Sequence, residues 1–132
     1  MKKVRGYIFS RPFMGERVPQ HIQNLVIRDC CERNHLQFLL SATEYAMPGC
    51  HLIFEQVLNE LAEIDGLVLY SLFQLPEDSS QRKVIYKKIL NQKKSMYFAV
   101  EGLSVSNMQE CERIEILWRI RLTLPYCAEH QV

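Results

Sequence analysis

The run Leu67-Val68-Leu69-Tyr70-Ser71-Leu72 decides how this chain folds. It is short and almost continuously apolar, and Asp65-Gly66 precedes it. A strand with one wet face alternates apolar and polar residues, whereas a strand covered on both faces has no need to. The run therefore predicts a central strand with helices above and below it. Upstream, Ile53, Phe54, Val57, Leu58 and Leu61 recur at helical spacing after Pro48-Gly49, in a helix that Asp65-Gly66 stops. Before them, Leu36-Gln37-Phe38-Leu39-Leu40 reads as a strand. Ile22, Leu25, Val26 and Cys30 mark a helix from Pro19 to about Arg33, with Asn34 as its C-terminal cap. Tyr7-Ile8-Phe9 ends a first strand that begins near Lys3, and residues 11–18 form a loop.

Downstream, Asp78 and Gln81 have the spacing of a capping box and open a helix to about Asn91. Met96 to Val100 makes a fourth strand, and Ser106 caps a fourth helix. Further on the pattern is ambiguous. Trp118, Ile120, Leu122 and Leu124 alternate with Arg119, Arg121 and Thr123 as in a strand, while Ile114, Leu117, Trp118 and Arg121 fit a helix. The reading adopted is helix to about Glu115 and an extended tail beyond. The alternation of strands and helices implies right-handed crossovers. Residues 1–132 are thus expected to form a single α/β domain with a mostly parallel four- or five-stranded sheet flanked by helices. Residues 1–104 are its core, and residues 105–132 its C-terminal helix and tail.

The 132 residues, 48% hydrophobic and 23% charged, suit one globular domain with a full core. Sixteen basic and 15 acidic side chains leave a net charge of +1, which excludes polyanion binding by bulk charge but not a local basic patch. No apolar run approaches the roughly 18 residues of a membrane helix. Met1-Lys2-Lys3-Val4-Arg5-Gly6 lacks the apolar core of a signal peptide. A cytoplasmic protein without a membrane span is expected. The cysteines Cys30, Cys31, Cys50, Cys111 and Cys127 form no CxxC pair, and His21, His35, His51 and His130 are scattered. They predict buried or partly buried thiols, no metal site and no cofactor.

In an open parallel sheet, ligands gather at the carboxyl ends of the strands. That edge collects Ser10, Arg11, Arg17, Gln20 and Gln23 after the first strand, Glu44 and Tyr45 after the second, and Ser71 and Gln74 after the third. Arg11 and Arg17 suit a phosphate or carboxylate, aided by the free N–H groups of the helix opening near Pro19. Ser10 is a candidate nucleophile and needs a base within reach; a serine bonded to the backbone of its own turn is the competing reading. Glu44 is a candidate acid/base if apolar neighbours raise its pKa. Tyr45, Tyr70 and Phe73 offer rings for stacking on a planar or sugar ring. Arg82, Lys83, Lys87, Lys88, Lys93 and Lys94 read as a solvated helix face.

Four blocks carry a family resemblance: Arg5-Gly6-Tyr7-Ile8-Phe9-Ser10-Arg11-Pro12-Phe13, Val18-Pro19-Gln20-His21-Ile22-Gln23-Asn24, Leu40-Ser41-Ala42-Thr43-Glu44-Tyr45 and Tyr70-Ser71-Leu72-Phe73-Gln74-Leu75-Pro76. They resemble the sporadic carbohydrate cluster family, small bacterial proteins encoded among surface-polysaccharide genes. The resemblance spans residues 4–102. It implies a part in lipopolysaccharide or capsule biosynthesis, and in that context the strand-end rim is expected to bind or process a sugar phosphate or nucleotide sugar. The alternative within the same pathway is a non-catalytic assembly protein that forms a homo-oligomer through residues 105–132.

A second, more distant resemblance lies in layout. Gly6-Tyr7, the glutamines opening the first helix, the face from Glu55 to Leu61, and Asp65-Gly66-Leu67-Val68-Leu69 are similar in arrangement to the serine recombinase (resolvase) catalytic domain. It implies a resolvase-like or flavodoxin-like three-layer layout. That family places its serine after Tyr-x-Arg-x and carries Asp-Arg-Leu-x-Arg after the third strand. Here these stretches read Tyr7-Ile8-Phe9-Ser10-Arg11 and Phe73-Gln74-Leu75-Pro76-Glu77, so the serine is displaced and both later arginines are missing. Those arginines would stabilise phosphoryl charge. The fold is expected to carry over without the strand cleavage. Nucleic acid is not an expected partner, and a DNA enzyme stands as the remote alternative.

Overall fold

The computed structural model describes the backbone of residues 1–47 and 49–131 and the side chains of residues 1–47 and 49–123. The elements follow in the order β1 (Lys2–Phe9), α1 (Gln20–Arg33), β2 (Leu36–Glu44), α2 (Leu52–Asn59), β3 (Gly66–Leu69), α3 (Ser79–Asn91), β4 (Ser95–Phe98), β5 (Leu103–Val105) and α4 (Met108–Gln131). The sheet order is β2-β1-β3-β4-β5. The first four strands pair in parallel and β5 runs antiparallel to β4. All four residues of β3 are buried, as expected of a strand covered on both faces. Gly66 lets β3 and β4 close up, because a Cβ there would collide with the Ser95 carbonyl oxygen.

Alternate strand residues feed two separate cores, since successive side chains leave a strand on opposite faces. Val4, Ile8 and Val68 pack with Ile27, Cys30 and Cys31 under α1. Tyr7, Phe9, Leu67 and Leu69 pack with Phe54, Ile89 and Trp118 under α2, α3 and α4. The result is a three-layer α/β domain with one helix on one face and three on the other. Of the cysteines with described side chains, Cys30, Cys31 and Cys111 are buried and Cys50 is partly buried, all as free thiols; Cys127 lies outside the described side chains. Among the described residues, no helix is long and apolar enough to cross a membrane.

Several expectations change, and β2 runs on to Glu44 where a loop from Ser41 was expected. The fourth strand ends at Phe98, not Val100, because residues 99–102 turn the chain, with Gly102 at φ 66° and its N–H on the Phe98 carbonyl. The chain then returns as β5, three residues long and too short to show a period. α4 runs on past Glu115 where an extended tail was expected. Cys111, Ile114 and Trp118 lie on one helical stripe and bury against the core, whereas Ile120 and Leu122, which strand period would pair with Trp118, are exposed. Its amino end is capped by Asn107, whose side-chain oxygen accepts the Glu110 N–H at 2.9 Å, while the Glu110 carboxylate accepts the Ser106 N–H at 2.8 Å. Leu124 lies outside the described side chains.

Arg82 is a further correction. Read from sequence as part of a solvated face, it is buried, with 3% exposure. Its guanidinium spans Glu115 on α4 and the carbonyls of Pro76 and Glu77, and lies 4.4 Å from the centre of the Trp118 ring. Helical spacing cannot reveal a partner 33 residues away.

Candidate functional site

The site is built at the end of β1. Gln23, wholly buried on α1, accepts the Phe9 N–H at 3.0 Å and donates to the carbonyls of Phe9 and Val18, each at 2.9 Å. It also accepts from the Gln74 amide at 2.8 Å, and Gln74 in turn accepts the Ser71 N–H. These two amides tie β1, α1 and the end of β3 together. Both were candidate ligand contacts; instead they are spent on this framework.

From that base the loop over residues 10–18 rises and doubles back, with Phe13 and Glu16 exchanging backbone hydrogen bonds at 2.9 Å. Met14 and Gly15 turn it at φ 51° and 77°. Arg11 is 9% exposed; its guanidinium lies 4.1 Å above the Phe9 ring centre, and Nη1 donates to the Tyr45 carbonyl at 2.8 Å. One planar face and one donor are thereby fixed, which leaves further donors for an oxyanion. α1 begins after Pro19 with no side-chain cap. Its first N–H groups carry the positive end of the helix dipole uncompensated by a protein side chain. Ser10, Arg11, Arg17 and Gln20 line one cavity of about 390 Å³ with Phe9, Val18 and Pro19. Arg11 and Arg17 both line it. Glu44 and Gln74 do not line this cavity.

A second cavity of about 560 Å³ shares Phe9 and Arg11 with the first. Phe13, His51 and Phe73 wall it, and Glu77 and Gln81 supply polar groups. The His51 ring stands edge-on to Phe9 with centroids 5.9 Å apart, and its nitrogens lie 3.3 Å from the carbonyl oxygens of Gly49 and Gln74.

Glu44 has a different task from the one read in the sequence. It is 1% exposed and accepts the Tyr7 hydroxyl at 2.7 Å, the Ile53 and Phe54 N–H groups at 3.1 Å, and the Tyr45 N–H at 3.3 Å. Burial pushes its pKa upward, but those hydrogen bonds outweigh it and hold the carboxyl below its ordinary value. A carboxylate so held caps α2 and has no proton to exchange near neutral pH. The expectation of a raised pKa and acid/base duty is corrected. Burial, and then the bond to Glu44, raises the Tyr7 phenol.

Ser10 Oγ donates to the Glu44 carbonyl at 2.6 Å. Ser71 Oγ donates to Glu101 at 2.8 Å and accepts the Phe73 N–H at 3.1 Å, capping the short turn Leu72–Gln74. Tyr45 contributes its carbonyl, and the residue is 51% exposed. Sequence reasoning missed Tyr7, Phe13, His51, Gln81 and Arg121. Arg121 on α4 donates to the Met14 carbonyl at 3.0 Å, 107 residues away, and so ties the site loop down. No local signal marks such a contact. Among the described residues, no group of three or more His, Cys, Asp or Glu side chains stands close enough to hold a metal ion.

No protein-family model and no curated protein sequence matches the chain. Solved structures do match. The N-terminal catalytic domain of TP901-1 integrase aligns over 93% of this chain and 98% of its own, with a TM-score of 0.61 and 16% identity. A resolvase-family site-specific recombinase from Streptococcus pneumoniae aligns over 97% of this chain and 94% of its own, with a TM-score of 0.63 and 8% identity. The fold is therefore the resolvase-like three-layer fold of recombinase catalytic domains. At such identities the likeness extends to fold and not to chemistry. The resemblance in layout to recombinases is the one these comparisons support, and none of them supports the carbohydrate-cluster resemblance.

Proposed function

We propose that this chain is a phosphate-binding protein of the recombinase fold that grips a phosphodiester and does not cut it. The observation that carries this reading is the pair Arg11 and Arg17 lining one cavity at the uncapped amino end of α1. The recombinase likeness favours a DNA phosphodiester over a sugar phosphate. Two features argue against cleavage. The Ser10 hydroxyl and the Glu44 carboxylate are both engaged within the protein, and the stretch Phe73-Gln74-Leu75-Pro76-Glu77 lacks the arginines that would stabilise phosphoryl charge.

Anisotropy titration of a labelled oligonucleotide tests it. The Arg11→Ala, Arg17→Ala double variant should bind at least about tenfold more weakly, since charge-assisted contacts contribute about 1.5–3 kcal/mol each. Raising salt should weaken the wild type more than the double variant. Equal binding by both proteins refutes the site. The same cavity supports a second reading, the sugar phosphate of the carbohydrate-cluster resemblance. Glucose 1-phosphate and a nucleotide sugar are its probes, and their binding where oligonucleotide fails transfers the assignment to them. A covalent protein–DNA adduct on a denaturing gel, lost in Ser10→Ala, overturns the non-cleaving reading.

The assembly role has its own support. On α4, Ile116 and Ile120 are neighbours one turn apart and 48% and 52% exposed, with Met108, 60% exposed, beyond the intervening Glu112. The Ile116 and Ile120 pair suits a second copy of the chain. Light scattering should report a smaller particle for Ile116→Glu, Ile120→Glu than for wild type. An unchanged mass removes α4 from that role.

A further inference from the structure

We propose that the bearer of the phosphate is a nucleotide unit, its phosphate between Arg11 and Arg17 and its base in the adjoining cavity walled by Phe13, His51 and Phe73. The inference rests on the phosphate reading above. The two cavities share Phe9 and Arg11 and so adjoin at these side chains. Arg11 is immobilised at that junction by the Phe9 ring on one side and the Tyr45 carbonyl on another. At about 560 Å³, the second cavity falls within the roughly 300–1,000 Å³ of small-molecule sites.

Its lining has the two properties a base needs. Aromatic rings give sequence-tolerant stacking with any base, because every base has a π-face. The carboxylate of Glu77 accepts hydrogen bonds and the amide of Gln81 both accepts and donates, and both residues are exposed. That set matches the N–H and C=O groups along a base edge. A base stacked inside a duplex cannot enter such a cavity, so the unit must be a free nucleotide or one in a single strand.

Calorimetric titration of the whole chain with inorganic phosphate, ribose 5-phosphate, UMP and AMP separates the two claims. Nucleotides should bind at least about tenfold more tightly than ribose 5-phosphate, the gain expected from stacking one base. Glu77→Gln and Gln81→Ala, both at exposed positions, should each remove the part of the nucleotide affinity that comes from base-edge hydrogen bonds and narrow the difference between UMP and AMP, with ribose 5-phosphate as the internal reference. Equal affinity for nucleotides and ribose 5-phosphate overturns the base site while the phosphate site survives. Failure of every phosphate to bind overturns both. A single-stranded oligonucleotide that outcompetes AMP names the strand as the source, and the reverse names the free nucleotide. Tighter binding of a matched duplex than of either one overturns the inference.

Discussion

Replacing Glu44 by alanine should destabilise the protein by about 3–5 kcal/mol, the loss seen when one partner of a buried, hydrogen-bonded charge is removed. Its carboxylate is the acceptor for the Tyr7 hydroxyl and for the first N–H groups of α2. Without it, a buried phenol and two helix-end donors are stranded in a site closed to water. For a chain of this length the effect amounts to a fall of roughly 10 °C or more in Tm. Glu44→Gln keeps the volume and loses the charge, so it should cost less.

The sign of the pH dependence follows from the lowered carboxyl pKa. Burial opposes ionisation, but the Tyr7 hydroxyl and the Ile53, Phe54 and Tyr45 amides hold the ionised form. A group whose pKa falls on folding adds stability above its unfolded value, and loses that contribution as pH drops through the folded pKa. The Tm gap between wild type and Glu44→Gln should therefore be full at neutral pH and shrink below the ordinary carboxyl value of 4.5. Thermal melts from about pH 7 down to about pH 3 measure it. A gap that stays constant over that range would show that ionised Glu44 does not hold α2.

Arg82→Met should cost about 3–4 kcal/mol in urea denaturation, nearer the lower end of the range for a broken buried pair. The Arg82 side chain is 4% exposed, but that of Glu115 is 19% exposed, so water partly rescues the orphaned carboxylate. Nε and Nη2 of Arg82 donate to the two Glu115 oxygens at 2.7 and 2.9 Å, and Nη1 donates to the Pro76 and Glu77 carbonyls at 3.0 and 2.7 Å. Glu115 also accepts the Tyr86 hydroxyl at 2.7 Å. The pair joins α3 to α4, and α4 in turn holds the site loop through Arg121. A second change, Glu115→Leu, should restore more than half of the loss, because the uncompensated charge leaves with it. Strictly additive losses would show that the two residues do not act as a pair. Arg82→Lys should fail to substitute, since a point charge cannot serve a carboxylate and two carbonyls from one plane.

Much of the architecture was legible in local pattern. Leu67 to Leu69 is apolar without alternation because both faces of β3 are covered, and Ile53 to Leu58 keeps helical period because one stripe of α2 meets the core. Arg11 and Arg17 both belong to the loop after β1, and both line one cavity there. Pattern misled at Trp118, where helix and strand periods coincide over a few residues. Burial of Cys111, Ile114 and Trp118 against the sheet, a matter of packing, selects the helix.

The order of strands and helices and the covered central strand were thus determined by sequence alone, since spacing along the chain records which residues meet the core. Which polar side chains face a ligand was decided only in three dimensions. Gln23, Gln74, Glu44 and Arg82 look like surface chemistry when written in a line. Each is buried because partners far along the chain or on a neighbouring element complete its hydrogen bonds, and a buried polar group is stable only where such partners converge.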